Sequence, residues 1–431
     1  MMKKELRFFE VFPSVVKAGE RTKITIIPKH PRYYFKEDEY KVKVVPKERR
    51  DLPRNEEYRV EKNTFSELIA KNEDGKLVFS YDFMDEQEYR IIVFLKEDGS
   101  SCHDFGVYAL CDDLYGTLPF KGDLHIHTTG SDGLCTIEAV TSAYREEGYD
   151  FIAITDHHHY QPSLEAKKLV EGMDSGLTVF PGEEVHNGCM GYFHIVNFNG
   201  NYSVNEIIEE DYEALKEKIR KMAKTLDVPE GIDSYEFAFR KWICDEIRKS
   251  GGKAIFPHPY WTIFSEYHTE THMSLYSLKS GIYDIFEVLG GCTCAENQMQ
   301  AAMYNDLRSE GVDIPIVGSS DAHDQTEHDL AFNSLWTMVF SKDNKGIADA
   351  IMDKKSVAVQ TYPGEFPRVI GNLRLTKYAY FLIENFFPVY KLYTKDIGAL
   401  MRACVCYDDA KNSLAGVNKK AQEYKNKYFG R

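Results

Sequence analysis

The chain holds no apolar run long enough to cross a bilayer, for its most apolar late segment, Tyr378 to Tyr393, is broken by Glu384, Asn385, Pro388 and Lys391. The opening MMKKELRFFEVFP lacks both the apolar core and the small-residue cleavage site of a secretory signal. A cytoplasmic protein with no membrane partner is the expectation. Positive charge is also short. Lys and Arg number 53 against 68 Asp and Glu, a formal charge of −15, which speaks against double-stranded nucleic acid as a partner, since such binding rests on clustered cations that release counterions. The nine cysteines include no C-x-x-C pair, only the C-x-C pairs Cys292-Thr293-Cys294 and Cys404-Val405-Cys406, so reduced structural thiols are expected instead of zinc knuckles. Neither a G-x-x-x-x-G-K-[ST] phosphate loop nor a G-x-S-x-G nucleophile elbow occurs. No low-complexity tract or internal repeat is found.

What is present is an ordinary globular composition, 43% hydrophobic and 28% charged, over 431 residues, enough for a barrel plus an extra module. Residues 1–115 carry short β-rich runs (Thr22 to Ile27, Tyr40 to Val45, Leu77 to Tyr81, Tyr89 to Leu95, Phe105 to Leu110) separated by the charged segments Lys47 to Glu57 and Lys96 to Ser101. They predict a small antiparallel β-sandwich. Over 116–365 strand-like runs alternate with amphipathic stretches, the pattern of βα units around a parallel sheet. Seven runs end in polar residues: Gly122 to His127, Phe151 to His157, Leu177 to Glu184, Tyr192 to Phe198, Lys253 to Pro259, Tyr283 to Gly290 and Ile314 to His323. Seven parallel strands with helices between them predict a closed or nearly closed α/β barrel. The connection 199–252 is too long for one barrel helix and reads as a helical insertion, Asn205 to Thr225 and Ser234 to Ser250, able to roof a site. The run Asn333 to Phe340, a helix Gly346 to Asp353 and a strand Ser356 to Gln360 complete the domain, and 366–431 reads as a mainly helical tail.

In a parallel α/β barrel the loops at the carboxyl ends of the strands share one face. Six of the seven runs place a histidine or carboxylate at or near that end. His125 and His127, two apart on a strand, share a face and can serve one metal. Asp321 and His323 repeat the device at the last strand. Asp132 offers a carboxylate from the loop after the first, and His157, Glu184, His194 and His258 come from the strands between. These nine N and O donors exceed the roughly four to six that one ion accepts, which favours two or three divalent ions; imidazole and carboxylate without thiolate suit Mn, Zn or Fe. Glu184 is the natural bridge.

Taken in order, His125-Ile126-His127, Ser131-Asp132-Gly133, Thr155-Asp156-His157, Pro181-Gly182-Glu183-Glu184, His194, Pro257-His258-Pro259 and Ser320-Asp321-Ala322-His323 resemble the PHP (polymerase and histidinol phosphatase) family over about Lys121 to Gln360. The resemblance implies a distorted (β/α)7 barrel, TIM-like, with a trinuclear metal centre that hydrolyses phosphoesters. The chain is also similar to CehA/McbA-like metallohydrolases, which share a G-x-E and a later histidine. It departs from the pattern at His158, where Asn or Asp is common, and in having Glu183 beside Glu184. In the Ile154-Thr155-Asp156-His157-His158-His159 run the histidine after T-D is the implied ligand, with Asp156 orienting it or adding a ligand, and His158 and His159 as loop residues.

Several assignments keep a structural alternative. His186 competes with His194, and Glu183 with the preferred Glu184. Glu287 reads as core-facing or as a carboxylate behind a ligand. His268, His272 and His328 read as phosphate or leaving-group contacts or as solvated surface. Tyr260, Trp261 and Tyr267 can stack on a base or sugar, or simply pack. The expected activity is hydrolysis of a small anionic phosphate ester (nucleotide, oligonucleotide or sugar phosphate) by a hydroxide bridging two ions, with Asp321, Glu184 and His258 as catalytic residues and Asp321 accepting the nucleophile's proton. The alternatives are hydrolysis of a carboxylic or carbamic ester or amide, and metal binding without catalysis.

Overall fold

The computed structural model describes residues 3–48, 65–96, 101–187, 193–326, 330–407 and 409–431. The charged segments expected at 47–57 and 96–101 fall largely outside these. Two compact units are present: Met1–Leu118 with Lys377–Tyr393 and Lys419–Arg431, and Pro119–Thr376 with Thr394–Asn418.

In the first unit eight strands, β1 (Phe9–Phe12), β2 (Val15–Lys17), β3 (Glu20–Pro28), β4 (Glu39–Pro46), β5 (Ser66–Glu73), β6 (Lys76–Phe83), β7 (Glu88–Phe94) and β8 (Cys102–Leu110), form one sheet in the order β1-β3-β6-β5-β4-β7-β8-β2. The consecutive strands β1 and β2 pair with opposite edges, β1 antiparallel to β3 and β2 parallel to β8, so the sheet curls until it nearly meets itself. Pro13, which has no N–H to donate, sits at the switch between edges. Alternating burial along β3 turns Ile24 and Ile26 inward onto Val42, Val44, Leu77, Ile91, Val93 and Val107. The structure thus has a single curled sheet, with β2 parallel to β8, where a small antiparallel β-sandwich was expected.

The second unit is built on strands most of which are buried on both faces, the short Thr262–Ile263, Glu266–Tyr267 and Arg368–Ile370 excepted, which is why the sequence reads there as near-continuous apolar runs. They are β9 (Leu118–Asp123), β10 (Phe151–Ala153), β11 (Thr178–Phe180), β12 (Gly182–His186), β13 (His194–Phe198), β14 (Lys253–Phe256), the two-residue strands β15 (Thr262–Ile263) and β16 (Glu266–Tyr267), β17 (Ile285–Leu289), β18 (Ile316–Gly318), β19 (Leu335–Ser341), β20 (Ser356–Gln360) and β21 (Arg368–Ile370). One sheet runs β11-β10-β9-β19-β20-β21 and another β12-β13-β14-β17-β18. Isolated parallel bridges, Ile126 to Ala322 and His157 to Glu184, tie the two together just beyond the strand ends. Thr337 Oγ1 also accepts from Gly318 N and donates to Gly318 O, which fits β19 beside β18.

Two expectations about this unit are corrected. The run Leu177 to Glu184 is not one strand, because Pro181 interrupts it and β11 and β12 belong to different sheets. Nor are the seven strands all parallel: β13 runs antiparallel to both β12 and β14. His194, at the start of this reversed strand, therefore lies at the same end as the carboxyl termini of its neighbours.

Helices α1 (Ile137–Glu146) and α2 (Gln161–Glu171) follow β9 and β10. The insertion holds α3 (Val204–Glu210), α4 (Tyr212–Ala223) and α5 (Ser234–Lys249). The stretch expected as one helix from Asn205 breaks at Asp211, whose extended backbone lets its side chain accept from Ala214 N and cap α4. Then come α6 (Thr271–Lys279), α7 (Cys294–Ser309), opened by a Thr293/Glu296 capping box, and α8 (Ile347–Met352). The tail forms α9 (Leu373–Asn385), α10 (Phe387–Cys406) and α11 (Ala410–Tyr428). No helix among the described residues is long and apolar enough to cross a membrane.

Arg145 on α1 anchors the entrances of two strands. Its fully buried guanidinium donates from Nε to Ser175 O (2.9 Å) and from NH1 to Tyr149 O (2.9 Å) and to Asp150 Oδ1 (3.2 Å). Removing one partner of a buried ion pair strands the other charge, at about 3–5 kcal/mol. Arg145→Met should lower unfolding stability by that order in urea titration, while Arg21→Met, on an exposed pair with Asp82, should change it by under about 1 kcal/mol.

Candidate metal centre

Glu184 sits at the middle of the site. Its side chain is wholly buried, and five imidazoles surround it. Oε1 lies 3.3 Å from His125 Nε2, 2.8 Å from His194 Nδ1 and 3.2 Å from His258 Nε2; Oε2 lies 3.5 Å from His127 Nε2 and 2.7 Å from His157 Nδ1. Each oxygen thus faces its own set of nitrogens. Asp321 Oδ1 approaches His127 Nε2 at 3.0 Å and His125 Nε2 at 3.2 Å. Asp132 faces His157 Nε2 (3.5 Å), His323 Nε2 (3.3 Å) and His127 Nδ1 (3.7 Å). All nine residues singled out as donors are therefore gathered into one cluster.

Alternation along β12 separates the two glutamates. Glu184 and His186 share one face with His194, which is paired opposite His186, while Glu183 points the other way. There Glu183 accepts from Val204 N (2.6 Å), Ser203 Oγ (2.7 Å) and the side-chain amides of Asn197 and Asn205 (both 3.1 Å), holding the start of α3 to the strand. The same register brings both His186 and His194 to the cluster, His186 Nε2 standing 2.7 Å from His157 Nδ1. Both rings, expected to compete for one place, thus stand beside Glu184.

Other carboxylates hold the donors in place. Glu287 Oε2 lies 3.1 Å from His125 Nδ1 and its Oε1 accepts from His258 N, turning His125 Nε2 inward. Asp156 accepts from Thr128 N, Thr128 Oγ1 and Ser131 Oγ, so it shapes the loop that carries Asp132. Asp123 escaped the sequence reading, although period 2 places it on one face with His125 and His127. Fully buried, it accepts from His125 N, Ser320 N and Tyr144 OH, and burial pushes its carboxyl up to about 7. His158 faces Glu209 at 3.2 Å and His159 is exposed. His272 is exposed, and His328 lies outside the described residues. His268, by contrast, reaches the cluster beside His194 and His258.

The donors fit divalent cations on an observation of their own. His125 Nε2, His127 Nε2, His194 Nδ1, Glu184 Oε2 and Asp321 Oδ1 are buried and, for all the short contacts just given, make no aligned hydrogen bond, and all belong to groups whose donor atoms come within 4.8 Å of one another. Buried polar atoms seldom stay unmatched, and a cation is the partner that lone pairs can share.

No family model matches the chain. A 40-residue stretch, 9% of the chain, is 50% identical to the DNA polymerase/3'-5' exonuclease PolX of Bacillus subtilis (strain 168), spanning 7% of that protein's length. Among solved structures, the chain is similar to a two-domain protein containing a predicted PHP-like metal-dependent phosphoesterase from Bacteroides vulgatus ATCC 8482, with a TM-score of 0.40 and 19% identity over 57% of this chain and 66% of that one. It is also similar to an amidohydrolase from Chromobacterium violaceum, with a TM-score of 0.29 and 17% identity over 48% of this chain and 89% of that one. Likenesses this partial assign no activity.

Two predictions follow from the geometry. Glu183→Ala should lower stability by about 3 kcal/mol, since it leaves several buried donors unmatched, and should leave the metal content unchanged; Glu184→Ala should abolish most metal uptake, both read by elemental analysis and thermal melting. The second concerns pH. Burial opposes the charge on His157, but Glu184 and Asp132 outweigh it and push the imidazole up to about 10; on His323 Asp132 and Asp321 do the same, to about 9. A raised folded pKa gives stability that is full below the ordinary histidine value and lost as pH climbs through the raised one. The melting temperature of the chelator-treated protein should therefore fall progressively as pH rises from about 6.5 to about 10, and metal affinity, which needs neutral imidazole, should rise with pH over the same range.

Proposed function

We propose that this chain is a metal-dependent hydrolase acting on a small phosphate ester, its ring of strands being the distorted (β/α)7 barrel of the PHP resemblance. The observation that carries the reading is the division of Glu184, with three imidazoles at Oε1 and two at Oε2, the disposition of a carboxylate shared between cations. His125, His127 and Asp321 would hold one ion, Asp132, His157 and His323 another, and His194 and His258 a third, with Glu184 in common. Mn, Zn or Fe held there supplies Lewis acidity and brings the pKa of water from about 15.7 to about 7.

Charge supports an anionic substrate. Divalent cations held among the donors would bring positive charge to the open side of the cluster, which attracts a phosphate that an acidic protein otherwise repels. Asp321 would take the nucleophile's proton, a role supported by its geometry: Oδ1 faces His125 and His127, while Oδ2, 3.9 Å from His258 Nε2, is the freer oxygen. Trp261, half-exposed with its ring 5.4 Å from that of His258, offers an apolar face to the organic part of the substrate and keeps water off that side.

One observation favours a carboxylic or carbamic ester or amide instead. Arg240, the guanidinium within electrostatic reach of His268, is fully buried and bonded to Glu236, Tyr283 and Thr269, so it is turned to its own surroundings and away from a substrate phosphate. A panel of phosphomonoesters, phosphodiesters and carboxyl esters assayed with Mn separates the readings: phosphate release without carboxyl-ester turnover is expected, and the reverse would move the assignment to the second class. Asp321→Asn should cost about 10² to 10⁴ in kcat with circular dichroism unchanged; full activity in that variant would remove Asp321 from the proton-transfer role.

A further inference from the structure

The segment after His258 leaves the strand end and returns. Trp261 N donates to His258 O (3.0 Å), β15 pairs with β16 in a small hairpin, His268 N donates back to Trp261 O (2.7 Å) and Thr269 N to Pro259 O (2.9 Å). This arch has paired feet, so residues ten apart in sequence stand side by side. The imidazole of His268 comes to rest 5.1 Å from that of His258 and 4.5 Å from that of His194, which are themselves 5.4 Å apart, measured between ring centres. Their donor nitrogens lie within 4.8 Å of one another.

Both ring nitrogens of His268 are shielded from solvent and neither has a hydrogen-bond partner. A histidine that served only to fill the core would be expected to place at least one N–H on a carbonyl or carboxylate. Thr269, its neighbour, is fixed by Arg240, and Thr262 at the other side of the hairpin donates to Glu296 Oε1 (2.5 Å), so the ring is held in place from both sides.

Resting on the metal-dependent reading above, we infer that His268 is a further protein ligand of the ion served by Glu184, His194 and His258. With it that donor set reaches four, the number a closed zinc-type site takes, whereas sites that act on substrate keep a position open. The ion at this position then fastens the 262–267 hairpin, and Trp261 with it, over the cluster. Positions bounded by Asp132 and Asp321 are left to meet the substrate. The resemblance assigned no role to His268, because its partner is supplied by the return of the arch and not by a strand end.

The test uses the full chain, stripped with chelator and reloaded with Co²⁺ or Zn²⁺. His268→Gln, which keeps the volume without the imidazole, should stay folded by circular dichroism and release one ion equivalent to chelator at least about tenfold faster than the unchanged protein, and the hairpin should become the new site of cleavage in limited proteolysis. His268→Cys loaded with Co²⁺ should gain a thiolate-to-cobalt charge-transfer band that the unchanged protein lacks, a signature no packing role produces. His272→Ala, on the exposed residue nearby, should match the unchanged protein throughout. If the unchanged chain binds ions but both His268 variants keep its stoichiometry and chelator resistance and no band appears, the inference fails alone. If the unchanged chain retains no ion, the metal-dependent reading fails and takes this one with it.

Discussion

A carboxylate with no exposure to water, ringed by imidazoles, cannot remain as an isolated charge. Removing Glu184 from solvent costs several kcal/mol, and neutral imidazoles return little of it, so the site calls for positive charge from protons or from cations. The rest of the second unit is arranged around that requirement. Strand ends deliver the nitrogens, the His157 to Glu184 bridge ties the second strand to the third at the carboxylate itself, and Asp123 and Glu287 fix the backbone and ring of His125 from behind. Protons and metal ions compete for the same lone pairs, so the raised affinity of His157 and His323 for protons reflects the same demand.

The backbone carries its share of that arrangement as strain. His158, His258 and Asp321 have φ of +61°, +25° and +53°, values that side chains with a Cβ rarely adopt. Three such residues at one site mark a place where side-chain aim has outweighed local comfort. The surroundings hold them there: Asp321 N donates to His125 O, His258 N donates to Glu287, and Gly291 passes so near that a Cβ on it would come within 2.5 Å of the Asp321 Cβ. Asp321 is thus clamped between the first strand and the glycine turn after β17, which sets its carboxylate between His125 and His127.

Much of this was legible because period 2 is a strong local rule. His125-Ile126-His127 and Asp321-Ala322-His323 announce paired donors on one face, and the apolar runs ending in polar residues announce buried strands. What stayed hidden depended on long-range pairing. Nothing local says that β13 is reversed, since a strand reads alike in either direction; the resulting pair of His186 and His194 therefore looked like a choice between two ligands. Pro181 splits one apolar run into strands of two sheets, a tertiary outcome that propensity does not encode. In the first unit the edges draw together because β2 pairs with β8, far away in sequence, while β1 just before it pairs with the nearby β3. His268 could be counted but not placed, because its position depends on how the arch closes.

The two adjacent glutamates show how tightly roof and centre are joined. Glu183 takes the start of α3 through Ser203, Val204 and Asn205, while Glu184, one residue on, takes the imidazoles. Asn205 stitches across the pair, donating to both Glu183 Oε2 and Glu184 O and accepting from His186 N. A slip of one residue in β12 would exchange the faces, turning Glu184 toward the insertion and Glu183 toward the histidines, and would remove His186 from the cluster at the same step. Docking of the insertion therefore sets the register that gathers the donors, and whatever charge fills the cluster stabilises that docking in return. Roof and centre form one cooperative element, so a change that loosens α3 acts on the clustered imidazoles and carboxylates although it touches none of them.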